Sequence, residues 1–184
     1  LIARLFNGTS ITIDHREKAP LNAHSNMFLN DSGSVIPGMS LFSRASSGIP
    51  GTVDGLIRAF ENHGSGKISL KEVLNPAIRL AERGFELSHF EANRLNVYKS
   101  FFEKNKAASK IFIRHDGKPW EKGQILIQKD LAKTLKKIAR YGRDGFYSGT
   151  VAQLIIEEMK RGNGLITKED LLRYESKYRV PVLG

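Results

Sequence analysis

The chain has 184 residues, 40% hydrophobic and 26% charged, ordinary globular usage for a domain that buries roughly 70% of its unfolded surface. The absence of cysteine excludes disulfides, thiolate catalysis and thiolate-ligated zinc, and no run approaches the roughly 20 apolar residues of a membrane span. A net charge of +10 favours acidic partners: nucleic acid, anionic lipid or an acidic second chain.

Residues 1–6 and 10–14 read as two strands joined through Asn7-Gly8, a pair suited to a type I′ turn because both central residues need φ > 0. Residues 1–6 are too short for the apolar core of a signal peptide. A lone hairpin is marginal in water, and no strand follows nearby, so its further pairing partners are expected outside the chain. Residues 21–47 are rich in Asn, Ser, Gly and Asp without a clear period and read as a long irregular connection. The run Ser47-Gly48-Ile49-Pro50-Gly51-Thr52 is a tight turn feeding a helix. Thr52 is its expected N-cap, Val53, Leu56, Ile57 and Phe60 its buried face, and Gly64 its left-handed stop.

Ser69 and Glu72 have the spacing of a capping box and open a helix over residues 70–83, where Pro76 predicts a kink or break near Asn75 and Gly84 ends the segment. Ser88 and Glu91 repeat that spacing before a helix reaching about Phe102. Residues 110–113 read as a short strand, closed by an Asp116-Gly117 turn. The next two helices have the clearest periodicity. In one, Leu131, Leu135, Ile138 and Ala139 face inward and lysines cover the rest; in the other, Ala152, Ile155, Ile156 and Met159 form the buried stripe. Gly162-Asn163-Gly164 breaks the chain, Thr167 caps a short helix to about Tyr174, and residues 176–183 read as the start of a strand. The expected fold is helix-rich α/β (α+β) with strands at both chain ends, one partial domain over residues 1–184.

Most signals that imitate chemistry have plainer explanations. Residues 61–72 have the glycine and final glutamate of an EF-hand loop, but His63 and Ser65 stand where oxygen-rich ligands belong, and a similar run ending at Asp170 has Met159 and Arg161 at ligand places. Both read as a glycine turn followed by a capped helix. The five histidines show no i, i+4 pair, so no metal is expected. Residues 129–143 carry six Lys or Arg against one acid, but the only nearby aromatic residue for base stacking is Tyr141 and the apolar stripe is narrow. A solvated helix face is the reading, with neither nucleic acid nor membrane as partner. Gly48-x-x-Gly51 before Thr52 resembles a phosphate-binding helix start without the lysine such loops use.

Arg16 stands apart. It follows the second strand between Asp14 and Glu17, and a guanidinium offers a planar fork able to hold a carboxylate bidentately. An ordinary surface ion pair explains the same residues.

The segments together resemble the large (heavy) subunit of the γ-glutamyltranspeptidases. The run Asp14-x-Arg16-Glu17-x-Ala19-Pro20 carries the likeness, with Ser47-Gly48-x-Pro50-Gly51-Thr52-Val53-x-Gly55 and Asn75-Pro76-Ala77-Ile78-x-Leu80-Ala81-x-x-Gly84-Phe85. Gly123-x-x-Leu126-x-Gln128-x-Asp130-Leu131-Ala132, Phe146-Tyr147-x-Gly149 and Gly164-Leu165-Ile166-Thr167-x-x-Asp170-Leu171 extend it over the whole chain in the family's order. The resemblance implies part of the αββα sandwich of an N-terminal-nucleophile hydrolase, acting without metal or organic cofactor. Its precursor cleaves itself, and a threonine at the new N-terminus of the small subunit attacks the γ-glutamyl amide of glutathione and related compounds. The acyl group then passes to water or to an amino-acid or peptide acceptor.

By the same resemblance, Arg16 is the arginine that binds the α-carboxylate of the γ-glutamyl group, and Glu17 is its supporting neighbour. No catalytic residue is expected here: the nucleophile belongs to a small subunit outside this chain, which would be inactive alone. An acidic small subunit would account for the positive charge. Bacterial members are typically periplasmic or secreted. The competing readings are a cephalosporin acylase-like or poly-γ-glutamate-processing relative and, from another class, a non-catalytic basic nucleic-acid-binding module.

Overall fold

A computed structural model describes residues 1–182. Strands β1 (Ile2–Arg4) and β2 (Ser10–Asp14) form the expected antiparallel hairpin, with Arg4 opposite Ser10. Its turn is not type I′, because Gly8 (φ 82°) has positive φ and Asn7 does not. Gly8 N–H donates to Leu5 O (2.9 Å) and Leu5 N–H to Thr9 O (2.8 Å), a type I turn closed by a glycine bulge. The Asn7 carboxamide oxygen accepts from Thr9 N–H (3.0 Å) instead of its residue entering the left-handed region.

The connection that follows is interrupted by a single turn of helix, α1 (Met39–Phe42), and a 3-10 turn at Arg44–Ser46. Helix α2 (Thr52–His63) begins at Gly51 without a side-chain cap, so Thr52 is its first helical residue and not its N-cap. Gly64 closes it in extended backbone (φ −66°, ψ 156°), not in the left-handed conformation. Then come α3 (Leu70–Arg83), β3 (Phe85–Glu86), α4 (His89–Val97), α5 (Lys99–Phe102), α6 (Lys106–Phe112), β4 (Ile125–Leu126), α7 (Lys129–Tyr141), α8 (Asp144–Tyr147), α9 (Gly149–Arg161), α10 (Lys168–Arg173) and β5 (Lys177–Arg179). The helix-rich α+β class is as the sequence reads.

The chain divides into two compact units, Leu1–Leu70 with Arg140–Gly184, and Lys71–Ala139. In the first, β5 pairs antiparallel with β2, Asp14 opposite Lys177 and Thr12 opposite Arg179, giving a three-stranded sheet of order β1-β2-β5. The β2 edge of the hairpin is therefore covered from the far end of this same chain. The last residues of the expected strand, from Leu183, lie outside the described residues. The core of this unit gathers Ile49, Tyr147, Ala152, Met159, Leu171 and Tyr174, with Ile155 and Ile156 packed against it as the α9 stripe predicts. Thr167 caps α10 in a reciprocal box with Asp170.

In the second unit α3 runs through Pro76 without the expected break. Gly84 (φ 89°) stops it, its N–H donating to Leu80 O, and a Cβ there would strike the Ile125 side chain. The Ser88–Glu91 capping box is formed, but Tyr98 (φ −91°, ψ 8°) divides the expected helix into α4 and α5. The strand expected at residues 110–113 is instead the end of α6. The Asn105 side chain accepts from the N–H groups of Ala107 and Ala108 (2.9 and 3.2 Å), and this cap with the run Lys-Ala-Ala-Ser-Lys outweighs the β preference of the Ile-Phe-Ile that follows. β3 and β4 pair over two residues each, too short for alternation to register. In α7 the buried residues are Ala132 and Ile138, whereas Leu131, expected inside, is 44% exposed. Two lysines of its basic face pair with acids, Lys133 with Asp130 and Lys136 with Glu82.

Candidate functional site

Asp14 is the last ladder residue of β2, so the chain leaves the sheet at residues 15–17 and re-pairs at Lys18, which exchanges backbone hydrogen bonds with Ile49 (3.3 and 2.8 Å). The loop between is fixed at both ends. Arg16 N–H donates to Asp14 Oδ1 (3.3 Å), and the Tyr174 hydroxyl donates to Arg16 O (2.6 Å). Asp14 also accepts on Oδ2 from Arg179 Nε and Nη2 (3.1 and 3.0 Å). The Arg179 side chain and the Arg16 N–H hold its carboxyl below the usual aspartate range.

The three glycines of the Gly48-x-x-Gly51-x-x-x-Gly55 run make room for this loop. A Cβ on Gly48 would come within 2.7 Å of Glu17 Cγ, one on Gly51 would overlap the Tyr174 hydroxyl and the His15 carbonyl, and one on Gly55 would strike the His15 side chain. These glycines thus serve close packing around residues 15–17, not the phosphate cradle their spacing imitates. Gly51→Ala is expected to destabilise the protein by about 1–3 kcal/mol, since one of the clashing atoms is backbone and cannot rotate away. A thermal-denaturation midpoint within a degree of the parent's would refute this packing role.

The Arg16 side chain is 83% exposed and borders a concavity of about 830 Å³ whose wall includes Asp14, Glu17, Gly48, Gly51 and Arg179. Glu17 engages Arg16 from the side, its Oε1 and Oε2 accepting from Nε at 3.1 and 3.4 Å. Among the described residues the terminal Nη1 and Nη2 groups have no hydrogen-bond partner, so the end-on edge of the fork is open. That edge presents two parallel N–H donors, the geometry a carboxylate accepts bidentately. The structure thus joins Arg16 and Glu17 through the Nε hydrogen bonds.

A hollow of about 910 Å³ in the second unit holds none of these groups. It sets Lys106, Lys110, Arg114 and His115 beside Trp120 and Ile125, with no carboxylate in its lining to serve as acid or base. The remaining signals are absorbed by structure. His63 bonds the Tyr178 hydroxyl (2.9 Å), Met159 is in the core, and buried Asp170 accepts from Leu21 N–H and from the Thr167 N–H and hydroxyl. Among the described residues no group of three or more His, Asp or Glu converges as a metal site, and no helix is long and apolar enough to cross a membrane.

Several supporting residues escape sequence reading. Asp54, 3% exposed, accepts from Arg143 Nε (2.8 Å) and Ser176 N–H (2.7 Å), joining the start of α2 to the approach to β5. Tyr147 donates to Pro50 O (2.7 Å) and stacks on Tyr174 with the ring planes 6° apart. Burial drives the Tyr147 hydroxyl well above the usual tyrosine range, so it stays a donor. Tyr174 and Arg179 lie 158 and 165 residues from the groups they bond, and nothing local in the sequence marks such partners.

The model of one family, described as gamma-glutamyltranspeptidase, matches residues 1–184. The chain is 41% identical over its whole length to the glutathione hydrolase proenzyme of Escherichia coli and 40% identical over 97% of its length to that of a Pseudomonas strain. It spans 31% of the length of each of these relatives. It superimposes with a TM-score of 0.95 and 41% identity on the crystal structure of Helicobacter pylori gamma-glutamyltranspeptidase, covering all of this chain and 52% of that one. With this match over every residue, on a fold that builds an open arginine fork at the end of β2, the chain belongs to the gamma-glutamyltranspeptidase family.

Proposed function

We propose that this chain is part of the large subunit of an enzyme that transfers or hydrolyses the γ-glutamyl group of glutathione and related compounds, and that Arg16 binds the α-carboxylate of that group. The observation that carries the reading is the Arg16 guanidinium, held from the side by Glu17 and open at its terminal edge, on a residue that lines a concavity. Glu17 orients the fork and balances its charge while leaving the edge that a carboxylate needs. The names of the relatives, glutathione hydrolase proenzymes, support the substrate class.

The reaction runs through a threonine supplied by a small subunit from the same precursor. Its hydroxyl attacks the γ-carbonyl carbon, its own α-amine takes the hydroxyl proton, and the leaving amine is protonated as the C–N bond breaks. Water or an amino-acid or peptide acceptor then attacks the γ-glutamyl ester and frees the threonine. Arg16 contributes binding and alignment of the donor, so that the γ-carbonyl meets the nucleophile in one register. The threonines present here are all internal and none is offered as nucleophile. In a bacterial host the enzyme acts in the periplasm or outside the cell.

Release of p-nitroaniline from L-γ-glutamyl-p-nitroanilide tests the assignment. The full-length, processed protein is expected to turn over this compound and the 184-residue chain alone is expected to give no rate above buffer. Activity in the isolated chain would place the nucleophile here and refute the division of labour; activity in neither would refute the substrate class.

A further inference from the structure

The arginine's setting is made by the other end of the chain. The peptide groups on the two sides of Arg16 are each engaged by the segment that follows α10. On the carbonyl side, the Tyr174 hydroxyl donates to Arg16 O at 2.6 Å. On the amide side, Arg16 N–H donates to Asp14, whose second oxygen is held by Arg179. The tyrosine is built in for the task. Its ring is almost fully buried and stacked on Tyr147, Lys18 lies 4.8 Å over it, and its hydroxyl occupies the space that a side chain at position 51 would take. A core tyrosine needs one partner for its hydroxyl, and here that partner is the backbone of Arg16, whose side chain lines the concavity.

We infer that Tyr174 is a positioning residue for γ-glutamyl recognition, holding the Arg16 peptide so that the exposed guanidinium meets the substrate carboxylate in one orientation, with Arg179 bracing the opposite side through Asp14. The inference rests on the reading of Arg16 given above. An arginine that is 83% exposed has many rotamers available, and its backbone anchor limits where the fork can reach. Loss of the anchor spreads those orientations, which weakens ground-state binding of the carboxylate and leaves the remote acyl-transfer step untouched.

The test uses the full-length, processed enzyme with L-γ-glutamyl-p-nitroanilide. Tyr174→Phe keeps the buried ring and removes only the donor; KM is expected to rise about three- to tenfold, with kcat and self-cleavage within about twofold of the parent. Thr167→Ala, which loosens the same unit by removing a helix cap, is expected to lower Tm and leave KM unchanged. If Tyr174→Phe leaves KM unchanged while Arg16→Lys raises it, the positioning role is wrong and the arginine's role survives. If Arg16→Lys also leaves KM unchanged, both fall. If Thr167→Ala raises KM as Tyr174→Phe does, general loosening explains the effect and the inference is overturned. Should Tyr174→Phe fail to self-cleave, Arg179→Gln carries the same question from an exposed position: a KM raised about two- to fivefold supports the clamp and an unchanged one overturns it.

Discussion

Arg16→Ala in the full-length enzyme is expected to lower kcat/KM for L-γ-glutamyl-p-nitroanilide by about 30- to 5,000-fold, carried mainly by KM, with self-cleavage intact. The range converts the ~2–5 kcal/mol that truncating one member of a hydrogen-bonded charge pair costs. The open edge supplies two donors at once, and each hydrogen bond to a charged group contributes about 1.5–3 kcal/mol. Arg16→Lys keeps the charge but replaces the planar fork with a point donor, so it falls between the parent and the alanine variant. Glu17 would be left without its partner, but it is half exposed and water can solvate it, so the loss reads on substrate binding and not on folding. A KM unchanged from the parent in both variants would remove Arg16 from the site.

The second large effect is on stability. Asp54→Ala is expected to destabilise the protein by about 2–4 kcal/mol, a loss read from the urea midpoint, because it leaves the buried Ser176 N–H without an acceptor and strips Arg143 of its carboxylate. Breaking a buried pair costs ~3–5 kcal/mol; Arg143 is 31% exposed and water recovers part of that. Asp54→Asn keeps an acceptor and is expected to lose about half as much. Burial alone would push the Asp54 carboxyl up, but the Ser176 and Arg143 hydrogen bonds prevail and hold it below the usual aspartate range. A carboxylate whose folded pKa is depressed contributes stability above its unfolded value, about 3.9, and loses it as pH falls through the folded value. The gap between parent and Asp54→Ala should therefore be constant from neutrality to about pH 4 and narrow below it. A gap that stays the same down to about pH 2 would show that the ionised form is not what matters.

What the sequence reveals and what it hides divide along a physical line. Caps that close within four residues, Ser88 with Glu91 and Thr167 with Asp170, are legible because both partners sit in one turn. So is the α9 stripe, where periodicity alone names Ala152 and Met159 as core. Residues 110–113 mislead because a β-branched, aromatic run sits at the end of a helix whose start, Asn105, lies too far upstream to weigh against it. Leu131 misleads because periodicity gives an apolar side of α7 without telling how much of it is covered. In the candidate site, Arg16 and Glu17 are neighbours in the chain, so a contact between them is legible from sequence alone. Tyr174, Arg179 and Arg143 are not findable in this way. Each acts on a group 89 to 165 residues away, and only the fold brings them close. The glycines at 48, 51 and 55 are visible as a pattern, but what they make room for is not.

The order in which the chain is made adds one more consequence. The first unit is split, residues 1–70 and 140–184, around a second unit that is continuous in sequence. On a ribosome adding about 5–20 residues per second, Asp14 waits on the order of ten seconds for Arg179 to emerge. Once residue 139 has been added the second unit has all its own residues, while the β2 edge that β5 will cover is still unpaired and Ile2 and Phe6 are exposed in the same hairpin. An unpaired edge flanked by apolar side chains is where nascent chains associate wrongly. The arginine's surroundings thus close only after the second unit has been made, and until then the hairpin that carries it depends on being kept apart from its neighbours.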